Sequence, residues 1–302
     1  MNSVSRSFGP LVVGRAVAAC VLAAATVVVA ACGHAVRASA PAARQRIATP
    51  TALSPRHAID LAVIAARRVN SLTMIQTVAV RERPGTPGIG IPGGMVGVTQ
   101  VMSIELRPTF VAGATLTIGS GASAITFHVI VTARSFYARF PGSMVPTKPG
   151  RPWVRLDLAR LPHGRSLARL LQELGGGQEE TANPLTSARL FRTAKRLRVI
   201  GAQNIDGVPT MGYAGYLPPT AWRSLAPLAH RLASSLHAPV RAREAFKVWI
   251  DAEHRIRKVT LRVGLGPLAI ITSTTITSIN QPVVVAVPPA SEISPIRQLT
   301  RR

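Results

Sequence analysis

The chain is poor in cysteine, in aromatic residues and in acids. It has two cysteines in 302 residues, Cys20 and Cys32, and only 4% of its side chains are aromatic. Twelve acids stand against 36 lysines and arginines. Scarce acids leave little material for paired carboxylates, and Glu179-Glu180 fall in a polar loop after three glycines. No acid/base pair, triad or phosphate-binding loop has a supporting context, so the chain is not read as an enzyme and no catalytic residue is assigned. Scarce aromatics also argue against nucleic acid, because no basic stripe with interleaved aromatic residues is present.

What is there begins at the N-terminus. Arg6 and Arg15 precede an apolar run from Ala16 to Ala31, and the run closes on Val29-Ala30-Ala31-Cys32 followed by Gly33. A basic start, a short apolar core and small residues before a cut make a secretory signal. A cysteine directly after the cut makes it a bacterial lipoprotein signal. Cleavage is expected between Ala31 and Cys32, with Cys32 carrying a diacylglyceryl group and an N-acyl chain as candidates. A membrane-spanning helix needs roughly 20 apolar residues, more than this run offers. Val17-Ala18-Ala19-Cys20 is a second lipobox-like run, but Arg15 leaves almost no apolar core before it. Two acyl chains anchor a protein stably where one does not. The chain is therefore expected to be exported and held at the outer face of the cell membrane. With Cys20 removed and Cys32 lipidated, no thiol remains for a disulfide, a zinc site or a redox centre.

Residues 1–31 read as the signal, 32–53 as a flexible Ala/Pro/Arg/Thr tether, 54–292 as one domain and 293–302 as a loose tail. The mature chain keeps 34 basic and 12 acidic residues. Over the whole sequence arginine outnumbers lysine 32 to 4, which has the look of a GC-rich genome. The surplus also suits an acidic partner: anionic lipid headgroups, an acidic envelope protein or a cell-wall polymer. Solubility and codon bias account for it equally well. The densest patch is Arg189, Arg192, Lys195, Arg196 and Arg198. On a helix its spacing puts most of these on one solvated face.

Ser54-Pro55 opens a helix, with Ser as N-cap and Pro at the first helical position. Ala58, Leu61, Ala62, Ala65 and Val69 follow at helical spacing. After Asn70 the apolar period changes to two. Strands are expected over 73–82, 98–107, 114–118, 125–132, 135–140 and 153–158, with a Pro/Gly loop at 83–95. Helices are expected over 166–174, from Asn183-Pro184 to Lys195, and from Pro218 to Leu236. A strand pair turns at Asp206-Gly207, and further strands follow around 246–250, 259–263 and 270–279. From Pro288 the chain reads as loosely ordered. The order describes an α+β domain: antiparallel meanders forming one curved sheet, with helices over its apolar face.

Four segments carry a resemblance: Ser135–Pro141 (SFYARFP) with Pro152-Trp153; Asn204–Thr210 (NIDGVPT) with Tyr213; Phe246–Asp251 (FKVWID); and Asn280–Pro289 (NQPVVVAVPP). Their order and spacing resemble the mycobacterial LppX, LprA, LprF and LprG lipoprotein family and its actinobacterial relatives, over roughly residues 55–292. The resemblance implies a LolA-like fold, a half-open antiparallel barrel closed by helices. It also implies an apolar cavity holding the acyl chains of a lipid or glycolipid that is moved within the cell envelope. The residues themselves read mainly as structural: Asp206-Gly207 suits a tight turn, Trp249 a cross-strand pair, and Asp251 a strand end where it bonds turn amides.

Small and β-branched residues facing inward leave room for alkyl chains. Met102, Ile104, Leu116, Ile118, Phe127, Val129, Leu261 and Val263 are the candidate cavity lining. A tightly filled core fits the same periodicity, and with it an interaction or regulatory module that binds an acidic partner. Other chemical signals are weak. Gly88–Gly93 (GIGIPG) imitates a dinucleotide fingerprint, but Pro92 lies inside it and no βαβ unit surrounds it. His230 and His237 lack a carboxylate or cysteine partner, and Ser120 in Gly-Ser-Gly is no nucleophile elbow. No metal and no dissociable cofactor is expected.

Overall fold

A computed structural model describes residues 52–82, 95–119, 124–141, 147–157, 188–218, 244–265 and 268–294. The signal segment, Ala31, Cys32 and the tether before residue 52 lie outside them. So do the expected helices over 166–174 and through Leu236, most of the Pro/Gly loop, and the last eight residues.

The described chain opens with α1, Pro55–Ala66. Strands follow as β1 (Ser71–Glu82), β2 (Met95–Glu105), β3 (Val111–Ile118), β4 (Ile125–Thr132), β5 (Ser135–Arg139) and β6 (Trp153–Asp157). A single helical turn, α2 (Ala188–Phe191), precedes β7 (Lys195–Ile205), β8 (Val208–Leu217), β9 (Glu244–Ile250), β10 (Ile256–Leu265) and β11 (Leu268–Ile279). A 3₁₀ turn at Ala290–Glu292 leads into β12, Ile293–Ser294.

All twelve strands belong to one sheet, in the order β12-β6-β5-β4-β3-β2-β1-β11-β10-β9-β8-β7. Two meanders build it, β1 to β6 and β7 to β11. They are joined where the first strand pairs with the last long one, Leu72 opposite Ile279 through Glu82 opposite Leu268. Every long pairing is antiparallel, as expected for strands that alternate apolar and polar side chains. β12 alone runs parallel to its neighbour, β6. The sheet does not close, since β7 and β12 are its two edges. Twisted sheets rarely exceed about ten strands without curling, and this one is curved.

One face carries the core. Leu72 and Met74 on β1, Met102 and Ile104 on β2, Ala114 and Leu116 on β3, and Phe246 and Val248 on β9 are all buried in a single cluster. α1 joins that cluster through Ala58, Ile59, Ala62, Val63 and Ala66. The buried stripe is thus turned from the expected one: Ile59, Val63 and Ala66 take the inner positions, and Leu61 and Ala65 are only half-buried. Pro55 holds the start of the helix, while the Ser54 side chain makes no capping bond. Twelve residues make a helix of roughly 18 Å, and it lies against α2 and β7. Near its N-terminus Arg56 donates to the backbone carbonyl of Arg192 and, at 3.0 Å, to that of Ala194. Arg192 also pairs with Asp60 at 2.8 Å.

The opposite face is polar where it is open. Thr115 meets His128 at 3.2 Å, and Thr117 meets Thr126 at 3.3 Å. Thr260 meets Ser273 at 3.3 Å. Elsewhere the C-terminal segment crosses this face. A side chain at Gly113 would put its Cβ 2.7 Å from a methyl of Val285, so glycine lets the strap lie this close. The strap is fastened where it leaves β11. Asn280, at φ 57°, accepts from the Asn70 amide at 2.7 Å, and its own amide donates to the Ser71 carbonyl at 2.8 Å. Its far end is β12. Ser294 is buried and bonds Lys148 N at 3.0 Å and the Arg151 carbonyl at 2.7 Å. The segment after Pro288, read as loose, is therefore ordered through Ser294.

Two further readings change. The helix expected to reach Lys195 is described only over Ala188–Phe191, and β7 starts at Lys195. The basic patch accordingly does not lie on one helix face: Arg189 belongs to α2, while Lys195, Arg196 and Arg198 line an edge strand. Exposed charge is a common way to keep a sheet edge from pairing with other chains. The Asp206-Gly207 turn forms as expected, with φ of 50° and 81°. These are the values of a hairpin turn that follows the sheet's twist.

Candidate functional site

The candidate site is the core-bearing concave face of the sheet. Strand register decides which side chains share it. Met102 stands opposite Ala114, which stands opposite Val129; Ile104, Ala112 and Val131 form the next row. Leu116 faces Phe127, and Ile118 faces Ile125. On the far half Leu261 lies between Phe246 and Thr272, and Val263 opposite Ile270. All eight candidate lining residues therefore share one face. Met102, Ile104, Leu116, Phe127, Val129 and Val263 are buried, and Ile118 and Leu261 are half-buried against the same cluster. The β4 end of the wall is closed by Phe140, edge-on to Phe127 at 5.8 Å.

A polar row crosses this apolar wall. Gln100 on β2 is opposite Gln76 on β1, and Gln76 is opposite Thr274 on β11. All three are buried, and Gln76 donates to the Thr274 hydroxyl at 3.0 Å. The row was absent from the sequence-derived lining, although the signal was available. Met74-Ile-Gln76-Thr-Val78 and Val98-Thr-Gln100-Val-Met102 each put a glutamine in phase with the apolar residues.

A second feature lies under the N-terminal end of α1. A pocket of about 180 Å³ is lined by Leu53 and Ala58, by Met211 and Tyr213 of β8, and by Ile250, Asp251, Ala252 and His254 at the end of β9. Small-molecule sites usually measure roughly 300–1,000 Å³, so this one is small. Burial raises the Tyr213 hydroxyl above its ordinary value of 10.0, opposed by a backbone hydrogen bond from Leu53. Phe191 stacks on Phe246 at 4.5 Å and fixes the α2 turn to the sheet nearby.

Asp251 organises the turn beside the pocket. One carboxylate oxygen accepts from the amides of Glu253 at 3.1 Å and Arg255 at 2.8 Å. The other accepts from the Arg255 guanidinium at 2.9 Å and the Arg257 guanidinium at 2.8 Å. The expected bonding of turn amides is present, and two arginines are added to it. With both oxygens occupied by structural donors, Asp251 is a fastening. Trp249 holds a cross-strand position opposite Gly212 and Lys258, with the Lys258 ammonium 5.3 Å from its ring centroid. Among the described residues no group of His, Cys, Asp or Glu has the arrangement to hold a metal ion. Among them, too, no helix is long and apolar enough to cross a membrane.

No family model matches the chain, and no curated protein is significantly similar to it. Among solved structures it is similar to the lipoprotein LppX of Mycobacterium tuberculosis, at 17% identity and TM-score 0.44, over 77% of this chain and 98% of that one. It is similar to LprF from Mycobacterium bovis at 11% identity and TM-score 0.47, over 80% of this chain and 99% of that one. A LolA superfamily protein from Nitrosomonas europaea follows at 9% identity and TM-score 0.22, covering 78% of this chain and 96% of the other.

Proposed function

We propose that this chain is a membrane-anchored lipoprotein of the LppX/LprG type that binds a lipid or glycolipid and carries it within the cell envelope. The acyl chains lie against the concave face, and the anchor on Cys32 keeps the carrier at the outer face of the cell membrane. The observation that carries this reading is the shared apolar face of β1 to β4 and β8 to β11, on which all eight candidate lining residues stand. Each CH₂ removed from water contributes roughly 0.8 kcal/mol, so chain length sets much of the affinity. The role is binding and transfer, with no chemistry performed on the lipid.

The test is native mass spectrometry of the lipoprotein released from its own membrane. The expected result is a discrete mass above the apoprotein, lost on denaturation and identified as a lipid. A clean apoprotein that also fails to take up added phospholipid or glycolipid would overturn the proposal. Six of the eight candidate lining residues are buried within the core cluster, which supports a second reading, an envelope interaction module with a filled core. An apoprotein that instead pulls down an acidic envelope protein would support it.

A further inference from the structure

The outer face of the far half of the sheet gathers cations that lie far apart in sequence. Lys195 stands opposite Tyr216, Tyr216 opposite Ala245, and Ala245 opposite Arg262. The next row runs from Arg198 through Ala214 and Lys247 to Thr260. A third sets Trp249 between Gly212 and Lys258. Ala245, Lys247 and Trp249 alternate with Phe246 and Val248, which belong to the core, so the three rows lie on the side away from it. The bulge at the start of β7 contributes to this. Between Lys195 and Arg198 the strand takes one residue more than β8 does, with Arg196 at φ 53°. Strict alternation would put Lys195 and Arg198 on opposite faces; the extra residue turns both outward. Lys195, Arg198, Lys247 and Arg262 are exposed, and Tyr216 among them is 42% exposed. The four cations form no ion pair among the described residues, and no acid stands in the three rows.

These rows begin beside the root of the tether. α1 starts at Pro55, and Arg56 donates to the carbonyl of Ala194, the residue before Lys195. Twenty residues separate Cys32 from Leu53. A coil of that length averages roughly 25 Å end to end, so a lipid on Cys32 keeps this corner of the sheet close to the bilayer. Resting on the reading of Cys32 as the lipidated residue, we propose that the outer face of β7 to β10 docks on the anionic surface of the membrane. Lys195, Arg198, Lys247 and Arg262 meet headgroup phosphates, and Tyr216 sits among them at headgroup depth. Salt screens the attraction beyond about 8 Å, so the face acts only in contact. It orients a protein that the lipid already holds, whatever the concave face binds. An acidic protein or polymer would meet the same cations, but the tether keeps the bilayer within their reach and raises its effective concentration.

The experiment sediments the full exported chain, carrying Cys32→Ser, with vesicles of equal parts phosphatidylglycerol and phosphatidylcholine, and with vesicles of phosphatidylcholine alone. Binding is expected to the anionic vesicles only, at low salt, and to be lost at high salt. Each cation at such a surface multiplies the affinity roughly fivefold, so Lys247→Gln with Arg262→Gln should bind roughly 25-fold more weakly. Arg67→Gln with Arg68→Gln, exposed at the far end of α1, should bind within about twofold of the parent. Lys247→Gln alone serves if the first pair disturbs folding. Equal weakening by both pairs would assign the binding to net charge and overturn the proposal. Absence of binding to the anionic vesicles would overturn it as well. Retention on immobilised polyphosphate that Lys247→Gln with Arg262→Gln abolishes would then give the face to an anionic polymer. These outcomes do not involve the anchor, whose failure shows separately, as a wild-type protein without lipid on Cys32 by mass spectrometry.

Discussion

Asp251 fastens the turn between β9 and β10 through both of its carboxylate oxygens. Its carboxylate holds two turn amides and two guanidinium groups, and one of these belongs to Arg257, which is 7% exposed. Removing one partner of a buried ion pair leaves the other charge desolvated and uncompensated, which typically costs about 3–5 kcal/mol. Asp251→Asn is expected to lose about 3 kcal/mol, read as a lower urea midpoint with unchanged slope. Tyr213 makes a prediction in pH. Its neutral form is favoured in the folded state, because burial raises the hydroxyl above 10.0. The folded state then holds a proton that the unfolded state releases. The contribution is fully present below pH 10.0 and is lost as pH climbs toward the folded-state value. Stability measured across this alkaline range should fall in the wild type and fall less steeply in Tyr213→Phe. An equal slope in both would show that another group governs the alkaline limb.

At the scale of elements, the strap from Asn280 to Ser294 ties the two meanders together from outside. It leaves β11, crosses the polar face over Gly113 and pairs with β6 at the opposite edge. Its contact with β3 is crowded at Gly113, where an added Cβ would sit 2.7 Å from Val285 and force it to shift. Overpacking of this kind costs about 1–3 kcal/mol. Gly113→Ala should lower the melting temperature and make the segment around Val285 more sensitive to limited proteolysis. Faster hydrogen exchange should appear in β12 before it appears in β1. Unchanged protection of β12 would mean that the strap is held by its two ends alone. The opposite edge shows a different solution. β7 carries Lys195, Arg196 and Arg198 on an edge with no further strand beside it among the described residues. The helix expected from Asn183-Pro184 to Lys195 is described only over Ala188–Phe191. A three-and-four spacing of long cations suits a solvated helix face, but it equally suits an exposed edge strand bulged at its start.

For the whole molecule, the proposed attachment to the membrane is the lipid on Cys32; among the described residues no helix is long and apolar enough to cross a membrane. Cys32→Ser is expected to move most of the protein from the membrane fraction to the soluble exported fraction, as seen in a fractionation blot. Without the thiol no lipid is added, and a signal of this length does not span a bilayer. Retention in the membrane fraction at low salt, with release at high salt, would point instead to the basic surface holding anionic lipid. Uptake of the proposed lipid should be unaffected by this variant, because the concave face lies on the folded domain.

Much of the architecture was legible because antiparallel strands write a period of two. Met102, Ile104, Leu116, Phe127 and Val129 could be assigned to one face before any strand was placed, and Asp206-Gly207 announced its own turn. Local chemistry also determined Pro55 at the start of α1, the amide bonds of Asp251 and the glycine at residue 207. What required the tertiary structure was everything that depends on which strand lies beside which. The pairing of β1 with β11 spans some 200 residues of sequence, and no periodicity carries that information. It brings Gln76 beside Thr274, and it sets the strap's starting point at Asn280. The depth of the α1 stripe, with Ile59 and Val63 innermost, depends on the curve of the sheet beneath it. The pocket at Tyr213 depends on how the helix end seats over β8 and β9. Alternation tells a side chain which face it takes; only the assembled sheet tells it which neighbours it meets there, because those neighbours come from far along the chain.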